Sequence, residues 1–154
     1  MKEGVKIQGF CRVHLLKDGK VEGDSGWCGP NQITNDGFLN YLVNLLGAAA
    51  GSSQIGFMAI GTGAESNATH ATLAGEVMSS TKRKAVSFSA LASTTAQFTA
   101  SWASNDISAA YDISNAGLYG LTTTNNQLFA GMSFASSTWG TDQDLNATYQ
   151  IRFS

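Results

Sequence analysis

Asp144-Leu145-Asn146-Ala147-Thr148-Tyr149-Gln150-Ile151-Arg152-Phe153 alternates without a fault. Leu145, Ala147, Tyr149, Ile151 and Phe153 fall on one side; Asp144, Asn146, Thr148, Gln150 and Arg152 fall on the other. Successive side chains of an extended chain point to opposite faces, so this spacing predicts a strand with one face in a core and one in water. The same period recurs upstream. Val5, Ile7, Cys11, Val13 and Leu15 oppose Lys6, Gln8, Arg12 and His14, with Phe10 as the exception. Lys17-Asp18-Gly19-Lys20 supplies an Asp-Gly hairpin turn, with a partner strand expected over Val21 to Cys28 and a break at Gly29-Pro30-Asn31. Val86–Ala90, Thr95–Trp102, Asp112–Leu121 and Leu128–Phe134 read as further strands. Ile55–Ile60 is apolar at nearly every position, as in a strand buried on both faces. Gly61-Thr62-Gly63 then reads as a tight turn before a polar loop to Thr72.

One segment has helical spacing. Thr34 or Asn35 can cap it, Phe38, Leu39, Leu42, Val43 and Leu46 make an apolar stripe, and Gly47 suits the C-terminal cap. The expected fold is therefore mostly β: an antiparallel β-sandwich of about eight strands, jelly-roll-like, with one α-helix near residues 35–46. Neither a repeat nor a linker divides the chain, so residues 1–154 read as one domain, with residues 1–6 free to extend as an arm.

Charged residues are 13% of the 154, and Ser, Thr, Asn, Gly and Ala take their place. Such a surface repels copies of itself weakly and suits a protein packed against neighbours. The net charge is −2, and the sole basic run, Lys82-Arg83-Lys84, is too short for a nucleic-acid footprint. It reads as the guard of a sheet edge. No apolar run reaches the roughly 20 residues of a membrane helix. Residues 1–9 lack the apolar centre of a secretion signal, so any export is expected by another route, such as lysis. Cys11 and Cys28 show no metal-ligand spacing; they read as free thiols or as a pair bridged across a hairpin.

No catalytic constellation stands out. His14 alternates onto a polar strand face, His70 lies in a small-residue loop, and neither faces a nucleophile elbow. Glu65 and Glu76 flank the polar loop and are the carboxylate pair to consider for glycoside hydrolysis, though solvated loop acids are expected. Asp142-Gln143-Asp144-Leu145-Asn146 opens like a calcium loop, but Ala147 and Phe153 stand where Gly and Glu are needed. Asn67 and Asn146 begin glycosylation sequons that read as chance. No cofactor is expected. Trp27, Trp102 and Tyr149 can stack on a sugar if exposed, but the last two sit on apolar strand sides. Trp139 lies among Ser, Thr and Gly and is expected at the surface. The expected interface residues are Met1, Lys2 and Val5 of the arm, and Trp139.

Taken in order, the segments resemble a family of small tailed-phage virion proteins. The pattern is an N-terminal hairpin, Asn31-Gln-Ile-Thr-Asn-Asp-Gly-Phe38, Met58-Ala-Ile-Gly-Thr-Gly63, Thr72-Leu-Ala-Gly-Glu76, Asn115-Ala-Gly-Leu-Tyr119, Leu128-Phe-Ala-Gly-Met-Ser-Phe134 and the alternating last strand. Where the family has an acidic residue before Ala-Gly of the fourth motif, this chain has Asn115. The resemblance implies a non-enzymatic structural protein on the outer surface of a phage particle: a capsid decoration or cement subunit, with the major capsid protein as partner. A tail or fibre host-contact module and a carbohydrate-binding module are the alternatives. A homo-oligomer is expected, a trimer by analogy with jelly-roll subunits at three-fold points. Neither nucleic acid nor membrane is an expected partner.

Overall fold

The computed structural model describes Gly4 and residues 6–43, 54–77, 82–120 and 127–154. Two antiparallel sheets enclose one core. The strands are β1 (Ile7–Lys17), β2 (Lys20–Asp24), β3 (Cys28–Asn31), β4 (Phe57–Gly61), β5 (Lys84–Ala85), β6 (Ser87–Ala92), β7 (Thr95–Trp102), β8 (Tyr111–Tyr119), β9 (Ala130–Trp139) and β10 (Asp144–Phe153). The larger sheet runs β2-β1-β10-β7-β6, with β3 also pairing β1; the smaller runs β5-β4-β8-β9. The mostly β, antiparallel sandwich expected from the alternation is the observed architecture.

The alternation explains the core. Leu145, Ala147, Tyr149 and Ile151 of β10 are buried beside Cys11, Val13 and Leu15 of β1 and Phe98, Ala100 and Trp102 of β7. They pack on Met58, Ile60, Ile113, Leu118 and Met132 of the opposite sheet. Asp18 and Gly19 adopt positive φ (50° and 74°) in the β1–β2 hairpin, as a two-residue primed turn requires. Beyond Asp24 the expected partner strand divides. Cys28–Asn31 rejoins β1 as β3, so the Gly29-Pro30-Asn31 segment pairs instead of ending the sheet. Pro30 is tolerated there because β3 lies at the sheet's edge. Cys11 and Cys28 are register partners and both are free thiols. Burial, with Cys28 alongside, pushes the Cys11 thiol well above its ordinary value.

Two further expectations are corrected. The α-helix is instead a π-helix over Gly37–Val43, entered through a short helical turn at Asn35 and Asp36. Thr34 does cap it: its Oγ1 accepts from the Gly37 amide (2.9 Å). The buried anchor is Tyr41, which meets the Phe129 ring edge-on at 5.2 Å and donates to the Gln127 carbonyl (2.6 Å). Phe38 and Leu39 of the expected apolar stripe are exposed and Leu42 is half-buried. Leu46 and Gly47 lie outside the described residues, as does the Val43 side chain. A wider i→i+5 turn rotates side chains off the 3.6-residue stripe.

Trp139 is the second correction: it is 1% exposed, and its Nε1 donates to the Gln143 carbonyl (2.8 Å). The β8–β9 register shifts between Ile113 and Asn115. Ile113 faces the core on one side of that bulge, Ala116 and Leu118 on the other. A bulge changes which residues point inward. Strict alternation carried through it therefore misplaces the end of β9.

Candidate functional site

Four of the motif segments converge on the outer face of the smaller sheet. β4 ends at Gly61, and the chain does not turn away there. The Thr62 amide donates to the Gly75 carbonyl (2.9 Å) and the Gly63 amide to the Ala74 carbonyl (3.1 Å). The Gly-Thr-Gly run thus serves close approach of two backbones: a Cβ on Gly63 would lie 2.4 Å from the Ala74 oxygen. Residues 62–77 form a strap over β4, β8 and β9. Beneath it Leu73 packs with Ala59, Tyr119 and Leu128. That strap is why Ile60 and its neighbours are buried on both faces.

Polar groups fasten the strap. Asn115 is fully buried; its Nδ2 donates to the carbonyls of Ala64 (3.1 Å) and Ala74 (2.9 Å). The Tyr119 hydroxyl accepts from the Leu73 amide (2.7 Å) and donates to Glu76 Oε2 (3.1 Å). Glu76 takes a two-pronged bond from Arg83, 2.7 Å from Nε and 3.1 Å from Nη2. The Arg83 guanidinium lies 3.5 Å over the Tyr119 ring centre. Burial pushes the Tyr119 hydroxyl up to about 12; Glu76 adds to that rise, while Arg83 and the Leu73 amide oppose it. Chemically this is a clasp: each hydrogen of the Arg–Glu fork is directed at a carboxylate already held by a phenol, inside the fold.

The other sequence-selected residues are dispersed. Glu65 does not share the Glu76 network; it is exposed and accepts from Ser133 Oγ at 3.4 Å. His14 Nε2 lies 3.2 Å from Asp24 Oδ1 on the outer face of the larger sheet. Arg12, with the Gly26 amide, holds the Asp24 carboxyl well below the usual carboxylate range. His70 Nδ1 accepts from the Asn67 amide (3.3 Å) in the strap. Asp142 pairs with Lys17 at 2.8 Å, and Asp144 accepts the Ser104 amide at 2.8 Å. Among the described residues no group of three or more His, Cys, Asp or Glu is placed to hold a metal. Nor is any helix among them long and apolar enough to cross a membrane. Met1, Lys2 and Val5 lie outside the described residues. Lys6 is tied into the sheet by two backbone bonds with Ser154 (2.8 and 3.0 Å).

Trp27 is the exposed tryptophan, at 44%, with the Arg152 guanidinium 5.6 Å over its ring and 4.0 Å over Phe10. An open polar cleft adjoins this corner, lined among others by Lys6, Gln8, Asn31, Gln32, Glu65 and Ser66. Arg83 is concealed by its sequence context. Its run reads as a solvated edge, and that holds for Lys84, which bonds Asp106 at β5 (2.9 Å). The available signal was an arginine seven residues beyond Glu76 at the end of a loop with buried Leu73 and Val77.

In comparisons with known proteins, no protein-family model, no curated protein and no solved structure matches the chain.

Proposed function

We propose that the chain is a non-enzymatic structural subunit of a tailed-phage particle, in first place a capsid decoration or cement protein bound to the major capsid protein on the outer surface. The observation that carries this reading is the clasp. The segments on which the resemblance rests spend their chemistry locking a strap onto a sheet, with Glu76 and Arg83 facing each other inside the fold. A part used in many copies under mechanical load benefits from such rigidity, whereas a catalyst needs its charged groups open to substrate. The low charge supports close packing with neighbours. A homo-oligomer follows from the same reading, a trimer if three-fold positions are used.

The jelly-roll variant of the sandwich has one feature in its favour, β1 and β10 side by side within the larger sheet. Against it, β6–β7 and β8–β9 are hairpins inside single sheets. The exposed Trp27 beside the polar cleft supports a second reading, a tail or fibre module, or a carbohydrate-binding module, that contacts the host. Trp139 is buried and so lies outside the contact surface.

The test is to locate the subunit in a map of the purified particle and measure its copy number. Hundreds of copies on the head, retained in ~1 M salt where the Debye length is about 3 Å, are expected. A few copies on the tail, with glycan binding abolished by Trp27→Ala, would establish the second reading instead.

A further inference from the structure

β6 forms one edge of the larger sheet. All six of its residues, Ser87-Phe88-Ser89-Ala90-Leu91-Ala92, are exposed. Phe88 is 63% and Leu91 54% open to solvent. No charged residue occurs between Lys84 and Asp106. An edge of this kind presents unpaired backbone donors and acceptors as a template for another strand. The molecule guards its other edges. β2 carries Lys20, Glu22 and Asp24. β5 is two residues long and begins with Lys84. β9 has its Gly131 carbonyl taken by Asn31 of the neighbouring β3. Among the described residues the sole such device at β6 is a register shift between Ala90 and Ala92.

The side chains extend the template. Phe88 is the register partner of Phe98, and the two rings meet at a tilt of 42° with centres 5.5 Å apart. The two rings, with Tyr41, Leu42, Phe129 and Phe153, line an apolar groove of about 430 Å³ open at the β6 edge.

We propose that β6 is the contact between two copies of this chain, paired antiparallel about a two-fold axis normal to the sheet. Neutrality selects the occupant. A partner recognised by charge has nothing to read along this strand, whereas a second copy meets it without like-charge repulsion. A two-fold axis normal to the sheet leaves the core-side rows of both copies on the same side. Each Phe88 then roofs the apolar groove next to its counterpart, and the edge backbone groups are satisfied in pairs. This two-fold contact is separate from the three-fold oligomer of the virion reading and does not depend on it.

The experiment is native mass spectrometry and sedimentation of the purified full chain over roughly 1–100 µM. A dimer is expected, unchanged in about 1 M salt. Phe88→Lys and Phe88→Glu are each expected to weaken it at least tenfold while keeping the parent's far-ultraviolet circular dichroism. An equimolar mixture of the two restores a heterodimer, because opposite charges then face each other at the axis. If either variant misfolds, Leu91→Lys, which sets a charge on the same edge away from the axis, is expected to weaken the dimer at least tenfold in its place. A parent that stays monomeric throughout overturns the proposal, as does an oligomer indifferent to these substitutions or a mixture that fails to re-pair. Particle binding by a folded, monomeric Phe88→Lys chain would leave the virion reading standing on its own.

Discussion

The smaller sheet turns its outer face under residues 62–77 and buries Ala59, Asn115 and Tyr119 there. The larger sheet leaves most of its outer face open to water: Arg12, Thr148 and Thr99 form one partly exposed cross-strand row, His14, Asn146 and Ser101 the next. Both faces carry polar groups, but their energetics differ. A buried donor, acceptor or charge that loses its partner bears the full desolvation cost, while an exposed one turns to solvent. Arg83–Glu76 and Arg12–Asp24 are both fork-like arginine–carboxylate pairs, the first almost sealed and the second about one-third exposed. Identical chemistry therefore predicts unequal consequences, and four measurements can break or sharpen the contrast.

The largest effect is expected from Arg83→Met, which strands the Glu76 carboxylate inside the fold. About 3–5 kcal/mol of unfolding free energy should disappear, read from denaturant melts. Arg83→Met combined with Glu76→Leu should recover much of it, since removing both charges is far less costly than removing one. A single substitution that costs no more than an exposed pair would place the clasp and the open face on equal terms.

Next comes Asn115→Ala. Two strap carbonyls, of Ala64 and Ala74, lose their donor. About 1–3 kcal/mol is expected, with faster hydrogen exchange at Gly63, whose amide holds the strap to Ala74. Unchanged exchange there would mean that Asn115 does not fasten the strap.

Third, alkali should loosen the strapped face. Tyr119 is raised from 10.0 to about 12. The unfolded chain therefore loses this proton first, and the Tyr119 contribution, intact below pH 10.0, is lost as pH rises toward about 12. Tyr119→Phe should flatten part of the alkaline fall in melting temperature; burial also raises Tyr149, so some slope persists. A profile identical to the parent's would refute the role of this hydroxyl.

The smallest effects belong to the open face. Thr99→Ala should stay within about 0.5 kcal/mol of the parent. Asp24 is depressed below 3.8, so its support is full above that pH and fades as the pH drops through its lower folded value. Solvent screening keeps it small. The gap between parent and Asp24→Asn should thus be slight at neutrality and close in acid. A loss at Thr99→Ala matching that at Asn115→Ala would erase the distinction between the faces.

What sequence alone determined is the local grammar: β10, β1 and β7 through their alternation, the Asp18-Gly19 hairpin, a helix cap at Thr34 or Asn35, and β4 as a doubly buried strand. Each is legible because its signal is periodic or confined to a few adjacent residues, and because one face of each sheet meets a single core. Tertiary structure decided the rest. The bulge between Ile113 and Asn115 turned Trp139 inward, and a π-helix replaced the 3.6-residue stripe so that Tyr41, not Phe38 or Leu39, became the anchor. Arg83 was drawn out of a basic run and into the fold by Glu76. The clasp joins residues 76, 83 and 119, and no local pattern specifies which charge meets which across such separations. That choice is made when the strap folds over β8, because a charge can be buried there only with its partner already in place.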